Sequence, residues 1–271
     1  MVSRLLGKLL LLLYAIIISL PLLMVATATM KNQQQFYMNP LGLPSSFSLD
    51  NYRNLFVDQP MIAYFSNSII VSFTTVLLLL ILASLIAFGL YRLSNNIAKA
   101  ILVLFVVGLM VPSQVNMIPI YSFLRDIGLT NSRTGLILVT ISLLMPLSVF
   151  MISGFMKSLP REVFESASID GAGEGRMYMQ IAIPLSVPYL AATATFLFVS
   201  VWNDLLFPLL LITDKSKMTL PLALLQFQGE YSTNYPGLLT GVVIISLPML
   251  IMFLFLQRFF ISGITAGSLK G

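Results

Sequence analysis

Charged residues punctuate this chain at wide intervals, and between them lie six long uncharged windows: 9–30, 68–91, 100–124, 134–156, 177–203 and 231–257. About 20 apolar residues span the hydrocarbon core of a bilayer as a helix, since backbone polar groups in lipid must be satisfied within the segment itself. Each window is long enough. The pattern predicts an all-α membrane protein of six transmembrane helices, near 9–30, 68–91, 100–124, 134–156, 184–212 and 238–257, in a single transmembrane domain covering 1–271. After Asp204 the run Leu205–Ile212 is too short to cross alone, so the fifth helix is expected to continue into a re-entrant or interfacial piece. Pro112, Pro119, Pro146, Pro188 and Pro248 fall inside the windows, where proline removes a backbone donor and bends a helix.

Composition agrees. The chain is 58% hydrophobic and 9% charged, with mean hydropathy +0.94, against roughly a quarter charged in a soluble domain. With the N-terminus inside, nine Lys and Arg fall on inside segments (Arg4, Lys8, Arg92, Lys99, Lys157, Arg161, Arg176, Arg258, Lys270) and six outside (Lys31, Arg53, Arg125, Arg133, Lys215, Lys217). That bias follows the positive-inside rule and puts both termini in the cytoplasm. The net charge of +5 then reflects membrane orientation, and no basic cluster points to nucleic acid. The first window is longer than the 7–15 apolar residues of a signal peptide, so Ala26-Thr27-Ala28 does not make it a cleaved leader; an anchor helix is expected. The chain holds no Cys and no His, which removes disulfides, thiolate chemistry and His-based metal or acid–base sites.

Two segments between helices stand out. Residues 31–67 carry Pro40, Pro44 and Pro60 and a short helix over 48–56, with Leu49, Tyr52, Leu55 and Phe56 at helical spacing. Residues 158–182 concentrate charge in one loop on the inner side. Ser158-Leu159-Pro160-Arg161-Glu162 reads as a helix start with a Ser cap and Pro160 in the first turn. Val163, Phe164 and Ala167 form one apolar face, with Glu162, Glu165 and Ser166 around it. Gly171 permits a left-handed turn. A second short helix from 173 to about 182 follows, with Met177, Tyr178 and Ile181 on one side, and Ile183-Pro184 opens the next membrane helix. Three readings of this helix-turn-helix compete: an interfacial amphipathic helix; a phosphate loop over Gly171–Gly175, poorly supported because no strand precedes it and no Lys-Ser/Thr follows; or a helix that docks into a groove on a partner.

The pattern Glu165-x-Ala167-x-x-Asp170-Gly171-Ala172, followed by Ile183-Pro184-Leu185, resembles the EAA loop of ABC importer permeases. Asn51-Tyr52, Asn67-Ser68, 129–135 with Asn131, Trp202-Asn203-Asp204 and the tail 257–271 are similar to the binding-protein-dependent carbohydrate-uptake subgroup, with the smaller permease of the maltose-type importer as nearest model. Ser166 departs from the family's second Ala. The resemblance implies a type I importer fold, in which 158–182 is a cytoplasmic coupling element docked on an ATPase through Glu165, Ala167, Asp170, Gly171, Ala172 and Pro184. It implies a tail contact with the ATPase by Thr265, Gly267, Lys270 and Gly271. The implied assembly is a heterodimer with a second permease, two ATP-binding-cassette subunits holding ATP and Mg, and an extracytoplasmic solute-binding protein, in a bacterial inner membrane. This chain would be no enzyme and would hold no cofactor or metal, because ATP chemistry needs a P-loop that it lacks. Gln114, Asn116, Tyr121, Trp202, Asn203 and Asp204 are the candidates for a path taken by a sugar or sugar-like solute. The alternative is a secondary transporter, which would be expected to place ionisable residues within its helices; only Asp204 is available.

Overall fold

The computed structural model describes residues 2–93, 95–227 and 233–268, with side chains described for 6–93, 95–227 and 233–255. Five helical stretches are long and apolar enough to cross a membrane: Leu6–Ala28, Met61–Arg92, Arg133–Met156, Glu174–Trp202 and Tyr235–Phe255. The pair Asn95–Leu109 and Ser113–Asp126, bent by 82°, passes the same test of length and hydropathy only when taken together, and counted as one broken span it brings the total to six. The helices form two compact units, one from the chain up to Tyr64 together with Leu220–Pro248, the other from Phe65–Thr219 with the chain from Met249 on.

In the first unit, α1 (Val2–Ala28) presents apolar side chains on every side, with Leu10, Leu11 and Tyr14 all exposed, as a helix surrounded by lipid requires. Beyond it the chain closes a polar knot. Asn51 Nδ2 donates to the Thr29 and Lys31 carbonyls, both at 2.7 Å, tying the chain just past α1 to the segment that follows. Lys31 is buried, with Nζ donating to the Asn39 and Pro40 carbonyls. Asn32 caps α2 (Gln33–Met38) through the Gln35 N–H, and Phe36 stacks on Tyr235. The expected helix over 48–56 forms as α3 at Asp50–Asp58. Its start is shifted because the Ser48 hydroxyl accepts from the Asp50 N–H. Only Leu55 of its predicted apolar face is buried; Leu49 and Phe56 are exposed.

The second unit is organised around α7 (Arg133–Met156), which packs against α5 (Asn95–Leu109) and α10 (Ile183–Trp202). Its core gathers Ala83, Ala87 and Phe88 of α4 (Met61–Arg92) with Val149, Ile152 and Met156 of α7. The third window is a correction: 100–124 is not one helix. α5 stops at Leu109, a 3-10 turn occupies Ser113–Asn116, and α6 runs Met117–Asp126. Pro112 is held in extended backbone at the break. The fifth stretch ends at Trp202, and α11 (Leu206–Leu211) is a separate piece, because the Asp204 carboxylate accepts the Leu206 N–H and starts a new helix. The last membrane helix, α12, runs Tyr235–Ser268, well beyond the predicted 238–257.

Asparagines tie the loops of this unit. Asn67 Nδ2 donates to the Ser216 and Met218 carbonyls while its Oδ1 accepts from Arg133. Asn131, at φ 52°, accepts the Thr213 and Asp214 N–H groups. Gly135 is required beside it: a Cβ there would lie 2.1 Å from the Leu129 carbonyl oxygen. The Ser216 hydroxyl and N–H, donating to Asp214, hold its carboxyl below the ordinary aspartate range, with Lys217 adding to the effect. The motif residues Asn67, Asn131 and Gly135 are therefore structural.

Candidate functional site

Residues 158–182 leave α7 through a turn in which the Ser158 hydroxyl donates back to the Phe155 carbonyl. Ser158 is thus not the helix cap. Pro160 takes the N-cap position of α8 (Arg161–Ile169) with no side-chain hydrogen bond, and Glu162 sits in the first turn, where an acid favours the positive helix end. Phe164 is buried to 1% exposure, packed against Tyr91 and Phe88 with ring centroids 5.0 and 6.3 Å away. Val163, predicted to share that face, is exposed.

The end of α8 explains the motif. Gly171 has φ 76°; the Gly171 N–H bonds to the Ser168 carbonyl and the Ala172 N–H to the Ala167 carbonyl. This is the paired hydrogen-bond pattern of a Schellman stop, with a left-handed residue just past the helix and an apolar contact across the turn. Ala167 and Ala172 both pack on the core. Asp170 is the C-cap residue and is exposed.

The second short helix is α9 (Glu174–Met177), which passes into a π-helical stretch, Tyr178–Ala182, and on into α10. Pro184 lies in the first turn of α10 and is exposed. Met177 and Tyr178 are buried, and Ile181 is half-buried. The hydroxyls of Tyr178 and Ser84 share a hydrogen bond of 2.7 Å. Arg92, the last residue of α4, donates from Nε and Nη2 to both oxygens of Glu174, at 3.0 and 2.9 Å. Nothing in the sequence pairs these two residues, which stand 82 apart. The segment is thereby fastened to α4 through Phe88, Tyr91, Arg92 and Ser84. Its outer face leaves Glu162, Val163, Glu165, Ser166, Ile169 and Asp170 exposed.

A cavity of about 760 Å³ opens at the α5–α6 break, lined by Gly108, Pro112, Ser113 and Asn116, by Thr140, Ser142 and Pro146 of α7, and by Ser200, Asp204 and Phe207. A Cβ on Gly108 would come within 3.3 Å of Pro146, so glycine lets α5 approach the proline of α7 at the cavity wall. Of the predicted path residues, Asn116 and Asp204 line this cavity. Trp202 is buried, stacked on Phe198 and edge-on to Phe65. Gln114, Tyr121 and Asn203 lie outside the lining, Asn203 donating to the Val199 carbonyl of its own helix. Thr140, Ser142 and Ser200 carried no signal in the sequence, because serine and threonine are common inside membrane helices. Of the predicted tail residues, Lys270 and Gly271 lie outside the described residues, and Thr265 and Gly267 are described only as helical backbone.

Several membrane-long helices, a fastened loop and a cavity at a broken helix make this a multi-pass helical membrane protein. Residues 80–265 match the family model described as "Binding-protein-dependent transport system inner membrane component", and the chain belongs to that family. It is 32% identical over 259 residues to the probable ABC transporter permease protein YurM of Bacillus subtilis, covering 96% of this chain and 86% of that protein. It is 31% identical over 263 residues to the diacetylchitobiose uptake system permease protein NgcG of Streptomyces coelicolor, covering 96% and 87%. It is 31% identical over 253 residues to the melibiose/raffinose/stachyose import permease protein MelC of Bacillus subtilis, covering 93% and 91%. Among solved structures, a chain of a bacterial ABC transporter that imports the acidic polysaccharide alginate superposes with TM-score 0.83 at 18% identity, covering 96% of each chain. That likeness concerns the fold. The chain is an ABC importer permease; family membership gives it no catalytic role, and ATP hydrolysis belongs to separate subunits. The secondary-transporter alternative finds no support.

Proposed function

We propose that this chain forms half of the translocation pathway of an ATP-driven importer for a sugar or sugar-like solute, and that residues 158–182 couple it to an ATPase. The construction of that segment carries the reading: Phe164 and Tyr178 lock it inward, while Glu162, Glu165 and Asp170 face outward with no ion-pair partner among the described residues. Such a knob is complementary to a basic groove. The assembly we infer pairs the chain with a second, different permease and two ATP-binding-cassette subunits that bind ATP and Mg. Both termini and residues 158–182 face the cytoplasm, and a solute-binding protein delivers cargo from the other side. Three of the relatives support the cargo class, since their names specify diacetylchitobiose, melibiose/raffinose/stachyose and arabinooligosaccharides. ATP binding closes the ATPase pair, the docked segment moves with it, and the helices exchange between two packed states. Pro184, in the first turn of α10, stands where that motion enters the membrane helix.

Glu165→Lys and Gly171→Trp, assayed in membrane vesicles, test the docking. A Cβ on Gly171 meets nothing within 4 Å, so a Trp there has room to meet whatever docks, but the φ of 76° strains the turn as well; Glu165→Lys, free of that strain, carries the docking test, with Gly171→Asn as the backbone control. We expect sugar uptake to be lost in both variants, with ATP hydrolysis uncoupled or the ATPase detached, while the permease remains in the membrane. Normal uptake by both would sink the assignment.

A further inference from the structure

The polar lining of the cavity at the α5–α6 break has an unbalanced hydrogen-bond chemistry. Thr140 Oγ1 donates to the Leu136 carbonyl at 2.8 Å, Ser142 Oγ to Leu138 at 2.9 Å and Ser200 Oγ to Phe196 at 2.9 Å. A hydroxyl has one proton, so each has already directed it into its own helix, and what these side chains can offer the cavity is lone pairs. Asp204 adds a carboxylate, which only accepts when ionised and has about four lone-pair directions. One of its oxygens holds the Leu206 N–H at 3.1 Å, which fixes the group beside the cavity; it forms no ion pair among the described residues. No Lys or Arg is among the lining residues, and Asn116 supplies the one amide donor there. The wall therefore accepts hydrogen bonds at many points, donates few, through Asn116 and the Ser113 hydroxyl, and holds one carboxyl group with no ion pair among the described residues. Its volume of about 760 Å³ suits a small sugar within the usual range of ligand pockets, about 300–1,000 Å³.

We propose that this cavity is a solute subsite belonging to this chain, which takes hydroxyl-rich solutes free of negative charge and turns away anionic sugars, with Asp204 setting that selectivity. The proposal rests on the sugar-import reading above but concerns the cavity alone. A neutral sugar presents hydroxyl protons to the serine, threonine and carboxylate oxygens, and an amino sugar adds a cation that suits Asp204 further. A uronate or phosphorylated sugar would bring like charge against Asp204 in a walled cleft, where fields are focused. The importer of acidic alginate whose fold this chain shares must solve the opposite problem.

The absence of native cysteine makes the test direct. Ser200→Cys places a single thiol on the cavity wall of the otherwise intact chain, within the assembled importer in membranes. The rates of its modification by a cationic and an anionic methanethiosulfonate of similar size are compared, each normalised to a free thiol and read on this chain's band. We expect the cationic reagent to be favoured by ~10-fold or more, in the range that cleft focusing gives, and the preference to fall to near unity when Asp204→Asn is added. Equal rates with Asp204 intact would overturn the proposal, as would a preference that survives Asp204→Asn. ATP-driven uptake of a neutral disaccharide, an amino sugar and a uronate by the same vesicles separates the two levels. No ATP-driven uptake of any of them, with binding protein supplied, would count against the sugar-import reading, while the thiol rates still decide on the cavity. Uptake of the uronate matching the neutral sugar would overturn the charge selectivity.

Discussion

In residues 158–182 Phe164, Met177 and Tyr178 are locked inward and the charges face out beside the exposed Val163 and Ile169, whereas at the α5–α6 break the helices turn serine, threonine, asparagine and aspartate toward a cavity. The two regions also hold their polar groups differently. Around α8 and α9, side chains bond to distant elements, Tyr178 to Ser84 and Glu174 to Arg92, so the segment's shape depends on tertiary contacts. In the cavity wall, Thr140, Ser142 and Ser200 bond to the preceding turn of their own helices. The shape there depends on Pro112, Pro146 and Gly108. A part that transmits force needs the first arrangement, and a part that meets a changing solute can use the second.

That contrast breaks most sharply at Phe164. Truncation to Ala removes a fully buried ring beneath α8 and should cost about 3–5 kcal/mol, concentrated in residues 158–182. Hydrogen exchange should show protection lost over 161–178 while α5–α7 amides near the cavity keep theirs. Equal loss in both regions would mean that the two are one cooperative unit.

Gly171 comes next. Its φ of 76° costs an ordinary L-residue about 1–2 kcal/mol, and the open space around it makes this a purely backbone effect. Gly171→Val should lower the melting temperature of the detergent-solubilised protein by the few degrees that such a loss implies, and Gly171→Asn by less, since asparagine tolerates the left-handed region. Similar losses for both would point to contact, not backbone strain.

The Arg92–Glu174 pair is partly exposed, with the two side chains 33% and 60% accessible, so it should be worth no more than about 1 kcal/mol, at the upper end for a two-pronged geometry. Arg92→Glu should weaken coupling of uptake to ATP hydrolysis, and adding Glu174→Arg should restore it. The defect should also shrink at high salt, where the repulsion is screened. A charge-reversed pair that fails to rescue would show that Arg92 acts elsewhere.

How much of this was legible follows the range of each interaction. Crossing a bilayer needs a long local apolar run, so all six spans showed in the sequence. The 82° bend within 100–124 did not, because the polar dip Pro112-Ser113-Gln114 with Asn116 leaves the run uncharged and a proline alone does not distinguish a kink from a break. The predicted fifth span reaches 212 because the apolar run resumes at Leu205; the helix ends at Trp202, where Asp204 accepts the Leu206 N–H. In the 158–182 loop, the Gly171 turn was readable because its chemistry is local. Ser158, expected as a cap, instead turns its hydroxyl back to the Phe155 carbonyl. The fastening to α4 was hidden, because no local signal links Ser84 or Arg92 to residues more than eighty positions away.

The smallest expected effect tests whether hydroxyls in the two regions really differ in role. The Ser166 hydroxyl donates to the Glu162 carbonyl at 2.8 Å, as Ser142 does to Leu138, so either can become Ala with stability changed by less than about 0.5 kcal/mol; the better helix propensity of Ala even favours a slight gain. Ser166 stands on the outer face of α8, and its proton is turned into the helix, so Ser166→Ala should leave ATP-driven uptake unchanged. Ser142→Ala removes an acceptor from the cavity wall, and should raise the half-saturating concentration for a neutral disaccharide by a few-fold, the loss of one modest hydrogen bond. Uptake and melting temperature measured on both variants decide it. An uptake defect at Ser166 would mean that its oxygen meets the docked partner, and an unaltered half-saturation at Ser142 would mean that solute passes the cavity without touching α7.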